Sequence, residues 1–75
     1  MFEHDQAIVH QLLAENPDFK TLYNKHQELN DTVDKAARGV LPLDDLTLEN
    51  MKKEKLMVKD KMALMIERYR RSAAG

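Results

Sequence analysis

The chain has no cysteine and no tryptophan, and its 75 residues include only two glycines, two prolines, two phenylalanines and two tyrosines. Without cysteine there is no disulfide, no thiolate metal site and no thiol nucleophile. Two glycines are too few for a phosphate-cradling loop, and Ser72, the sole serine, stands in no hydrolase-type motif. So few turn formers argue against a sandwich or barrel of many short strands. No window approaches the roughly 18 apolar residues of a membrane span. The start, Met-Phe-Glu-His-Asp-Gln, has no basic segment followed by an apolar run. A cytoplasmic protein without a membrane partner is therefore expected.

Charge of one sign is also missing. Twelve Lys and Arg oppose thirteen Asp and Glu, a net charge of −1, so no global field draws the chain to nucleic acid or membrane. The halves differ: residues 1–43 hold 4 basic and 7 acidic side chains, and residues 44–75 hold 8 and 6. Their mutual attraction suits pairing within the molecule.

What is present is helix-forming: 43% hydrophobic and 33% charged residues, rich in Leu, Lys, Glu, Ala and Met. Two punctuation marks divide the chain. At Asn16-Pro17-Asp18, Asn16 suits a helix cap and Pro17 the first helical position, where its missing N–H costs nothing. At Gly39-Val40-Leu41-Pro42, Gly39 suits the left-handed position after a helix end and Pro42 blocks continuation. Asp44 and Asp45 then favour a new N-terminus. The spacing predicts a single all-α domain: a short helix over about 4–15, a hairpin helix over 17–38, a turn over 39–44 and a second hairpin helix over 45–70.

Phe19, Leu22, His26, Leu29, Val33, Ala36 and Val40 alternate intervals of three and four, the rhythm of a coiled-coil seam. Leu48, Met51, Lys55, Val58, Met62, Met65 and Tyr69 repeat it. Joined by a short turn, the two helices must run antiparallel, and one register pairs every layer, with Leu29 opposite Lys55 and His26 opposite Val58. That register sets Lys25 near Lys61, an unfavourable contact, Asp18 near Arg68 and Thr32 near Glu54. Glu28 and Thr32 are the expected oxygens for Lys55. Leu56, Ala63 and Ile66 widen the apolar stripe of the last helix beyond what one partner covers. Ile8, Val9, Leu12 and Leu13 offer a cover, either on their own hairpin or on another copy.

Two segments carry a family resemblance. Phe19, Leu22, His26 and Leu29 stand in an F-x-x-L-x-x-x-H-x-x-L pattern; Lys52, Lys53, Lys55, Leu56, Lys59 and Asp60 stand in a K-K-x-K-L-x-x-K-D pattern. In that order they resemble the YdcH family of small bacterial proteins. The resemblance implies a helical hairpin of bacterial origin and no activity, the family being uncharacterised in function.

Little else carries chemistry. His26 has no nucleophile or carboxylate within helical reach on its own seam, so a packing role is expected. His4 and His10 are six apart and do not share a helix face, so no metal site is expected. Lys52, Lys53, Lys59 and Lys61 are candidate anion-binding residues. Nucleic-acid binding would need them on one face with stacking aromatics, and a solvated pairing face fits better. No cofactor and no enzyme are expected. The expected function is a small interaction module that self-associates as a homodimer or higher oligomer and meets a further, unidentified protein. Binding of nucleic acid or another anionic polymer through the last helix is the alternative.

Overall fold

The computed structural model describes residues 2–74. A short 3-10 turn at Glu3–Asp5 leads into α1 (Gln6–Glu15), followed by α2 (Pro17–Ala37) and α3 (Asp45–Ala74). There is no strand among the described residues. Helices α2 and α3 form the hairpin, and α1 packs on both of them.

The two punctuation marks work through specific hydrogen bonds. Asn16 is extended (φ −118°, ψ 105°), as a residue before proline must be, and its Oδ1 accepts from the Asp18 and Phe19 N–H groups at 3.0 and 3.1 Å. Its own N–H donates to the Leu12 carbonyl at 2.8 Å and closes α1. At the other end of α2, Gly39 takes φ 74°. The Gly39 N–H donates to the Ala36 carbonyl at 3.2 Å and the Val40 N–H to the Lys35 carbonyl at 2.9 Å. These paired bonds are those of a Schellman turn, which satisfies carbonyls that the helix end leaves open.

Val40 therefore belongs to the turn and not to the seam. It is 66% exposed within the expected 39–44 turn, so the three-four run on α2 packs only as far as Ala36. The third helix also runs on to Ala74, past the expected end near residue 70. No glycine or proline intervenes there. Glu67 accepts from Arg70 at 2.9 Å and from Arg71 at 3.3 Å, contacts that hold the last turns together.

The core is one cluster: Val9 and Leu12 from α1, Phe19 and Leu29 from α2, and Val58, Met62 and Ile66 from α3. Phe19 and Met62 are fully enclosed. Ile8, Leu13 and Phe2 pack partly against this cluster, so the first helix covers its own hairpin. Its ten residues reach only about 15 Å along a 30-residue α3 that is about 45 Å long. Ion pairing of Asp5 with Arg70 fixes α1 at the end of α3 far from the turn. The molecule is three helices thick at that end and two at the other. It measures 47 × 21 × 17 Å with a radius of gyration of 14.4 Å, against about 11 Å for a compact chain of this length.

Candidate functional site

The seam residues divide by depth. On α2, Phe19, His26 and Leu29 are buried while Leu22, Val33 and Ala36 are half-buried. On α3, Val58 and Met62 are buried and Leu48, Met51, Lys55, Met65 and Tyr69 are half-buried. Ile66, at 3% exposed, is deeper than every seam residue except Phe19 and Met62, because α1 closes over the edge of the seam where it stands. Leu56 and Ala63, expected beside it under the same cover, lie in solvent. They stand farther round the helix from the seam than Ile66 does.

Among the described residues His26 is the one buried polar side chain, 8% exposed. Burial, and then the neighbouring ammonium groups of Lys55 and Lys59, push its titration below the ordinary imidazole range, which keeps it neutral near pH 7. A neutral ring can pack in an apolar layer without a counter-charge. No buried side-chain nitrogen or oxygen among the described residues lacks a hydrogen-bond partner.

Lys55 reaches out of the seam and donates to Asn30 Oδ1 at 3.0 Å. The contact sets Lys55 beside the turn that carries Leu29, its expected layer partner. The acceptor is neither Glu28 nor Thr32. Thr32 donates its hydroxyl to the Glu28 carbonyl at 2.9 Å, and Asn30 and Thr32 flank opposite edges of the seam, of which Lys55 leaves by the Asn30 edge. Lys25 does not face Lys61. It pairs with Glu54 at 2.7 Å, which raises the Lys25 pKa through that hydrogen bond and the carboxylate charge. Glu54 and Lys61 stand one heptad apart within the sweep of the long Lys25 stem, and opposite charge selects the first. Glu54 is thereby engaged away from Thr32, and no ion pair joins Asp18 to Arg68 among the described residues.

The outward side of α3 carries its own pattern. Leu46, Leu56, Met57 and Leu64 are 69%, 59%, 57% and 60% exposed. Leu46, Met57 and Leu64 are separated by eleven and seven residues, which at about 100° per residue places them within some 20° of one line. Lys52, Lys53, Lys59 and Lys61 are exposed around the same helix, Lys52 and Lys59 on one flank, Lys53 beside the apolar line and Lys61 beyond it. They do not share a face. No three His, Asp or Glu side chains converge as metal ligands among the described residues. No helix there is long and apolar enough to cross a membrane.

Sequence reasoning missed the Asp5–Arg70 pair and the Lys55–Asn30 bond. The Asp5–Arg70 pair joins residues 65 apart and leaves no local pattern. Asn30 could have been found as the residue next to Leu29 on the seam edge.

Comparison with protein families gives one finding. The model of the family described as "Protein of unknown function (DUF465)" matches residues 19–66. The chain belongs to the DUF465 family. No curated protein and no solved structure matches it. The DUF465 match begins at Phe19 and ends at Ile66, both buried. It takes in the seam from Phe19 to Met65 with both motif segments and leaves out α1 and the last turns of α3, so most of the hairpin is the part of this protein that the family describes.

Proposed function

We propose that this DUF465 protein is a non-catalytic, YdcH-like bacterial interaction module of the cytoplasm whose hairpin associates with a second copy of itself. The supporting observation is the apolar line of Leu46, Met57 and Leu64 along the outward side of α3. The surface area points the same way. A folded monomer of 8.7 kDa exposes about 4,700 Å² by the usual scaling. This chain exposes 5510 Å². The excess of roughly 800 Å² equals one partner's share of an interface of ordinary size. A chain this short rarely carries its stability on one core, and a second copy is the simplest source of further burial.

Sedimentation across a concentration series tests the reading, with association expected at micromolar concentration. Leu64→Glu, an exposed change, should shift the protein toward one chain without loss of helix. A wild-type mass of one chain at every concentration would sink the proposal. Insensitivity to salt is part of the expectation, since an apolar interface releases few counterions; a steep salt dependence would favour an anionic polymer as the partner of α3.

A further inference from the structure

A hollow opens in the surface where α1 turns into α2 and meets the last turns of α3. It holds about 270 Å³, is open on one side, and is lined by Leu12, Asn16, Met65, Arg68, Tyr69 and Ser72. Four of these, spaced three, four and seven residues from Met65, share one face of α3. Leu12 adds an apolar wall from α1, and Asn16 closes the corner at the hinge between α1 and α2.

The polar groups of the hollow are of one kind. Arg68, Tyr69 and Ser72 can donate, and no carboxylate is present. Asn16 uses its Oδ1 to cap α2, which leaves its amide NH₂ for a further bond. Arg68 is also distinctive among the arginines. Arg38 pairs with Asp34, Arg70 with Asp5 and Glu67, and Arg71 with Glu67. Arg68 alone of the four has no carboxylate partner among the described residues, and it borders this hollow. A free guanidinium beside apolar walls, with neutral donors around it, is complementary to a carboxylate carried on an apolar group.

We infer that this hollow receives the C-terminal carboxylate and last apolar side chain of a partner protein. The inference rests on the interaction-module reading and names a partner chemistry for a second site on the same molecule. Both a peptide terminus and a free fatty acid supply the chemistry, and the shape decides between them. The volume is below the roughly 300 to 1,000 Å³ usual for ligands that are engulfed, and one side lies open. A single leucine- or phenylalanine-sized side chain fits, and the open side lets the rest of a chain leave. A long acyl tail would stay in water.

The test uses the full-length protein and an N-acetylated peptide of three alanines and a C-terminal leucine, as the free acid and as the C-terminal amide. Backbone amide shifts would be followed by NMR. The acid should bind at least ten-fold more tightly than the amide, with shifts centred on residues 12, 16, 65, 68, 69 and 72. Arg68→Gln, a change at an exposed side chain without an ion-pair partner, should abolish the difference while α-helix content is kept. Equal binding of acid and amide, or binding of neither, overturns the inference. Tighter binding of octanoate than of the acid peptide overturns it too, by assigning the hollow to free carboxylic acids. Sedimentation reports on the outer α3 line separately, so failure at the hollow is distinguishable from failure of self-association.

Discussion

Lys55 is the only charged side chain at a seam position, and its hydrogen bond to Asn30 shows how it is accommodated: the stem packs and the ammonium leaves at the edge. A lysine in such a layer costs stability and excludes arrangements in which its head finds neither water nor an oxygen. Lys55→Leu is therefore expected to raise the melting temperature by several degrees, about 1 kcal/mol of added burial being worth some 4 to 8 °C in a domain of this size. It should also redistribute assembly states, since the middle of the seam would become apolar throughout. Calorimetry reads the first effect and sedimentation the second, and an unchanged mass distribution would limit Lys55 to packing. His26, near the same ammonium group, sets a pH dependence. Its folded-state pKa lies below the ordinary value, so the unfolded chain binds the proton first as pH falls. The contribution is fully present above about pH 6.5 and is lost as pH drops through the lower, folded value. Between about pH 7 and pH 5 the wild type should lose stability faster than His26→Leu, by no more than about 1.4 kcal/mol per pH unit, the limit for one proton. Parallel curves from urea denaturation would refute it.

At the scale of elements, the boundaries that depend on single residues were readable from the sequence, and those that depend on distant contacts were not. Asn16, Pro17 and Gly39 act on neighbours within a few positions, so their types alone state what they do: the cap bonds lie two and three residues away and the Schellman bonds three and five. The seam is equally legible, because a three-four alternation repeats the helical period itself. By contrast, the docking of α1, the choice of Glu54 by Lys25 and the choice of Asn30 by Lys55 each depend on where long side chains end in space. The hollow at the hinge is illegible for the same reason, since it joins residues of three elements. A substitution at each readable boundary should have a local cost. Asn16→Ala removes two accepted bonds and should destabilise by about 1 kcal/mol. Gly39→Ala meets no atom within 4 Å of the added carbon, so its cost, again about 1 kcal/mol, comes from backbone strain at φ 74°. Gly39→Asn should recover part of it, because asparagine tolerates the left-handed region. Chemical denaturation of the three variants would show whether the costs follow this order.

For the whole molecule, the division of charge along the chain finds little use inside it. Of the ion pairs that join the two halves among the described residues, Lys25–Glu54 takes its cation from the acidic half and its anion from the basic half, and Asp5–Arg70 alone has the expected sense. Most lysines of α3 thus stay in solvent, which raises the question of an anionic partner. Their placement argues against duplex DNA. A protein that tracks phosphates presents its cations as a continuous stripe, and each neutralised phosphate steepens the salt dependence. Here Lys52 and Lys59 share a flank, Lys53 and Lys61 lie elsewhere, and Asp60 and Glu67 intervene on the exposed arc. With a net charge of −1 the remaining field is weak. Titration of labelled duplex DNA at about 0.15 M salt should therefore give no sub-micromolar binding, and lowering the salt should recover only weak, sequence-independent association. A sub-micromolar affinity lost on combined substitution of Lys52 and Lys59 by glutamine would reverse the assignment, making that flank of α3 a phosphate-binding surface and the apolar line a secondary feature.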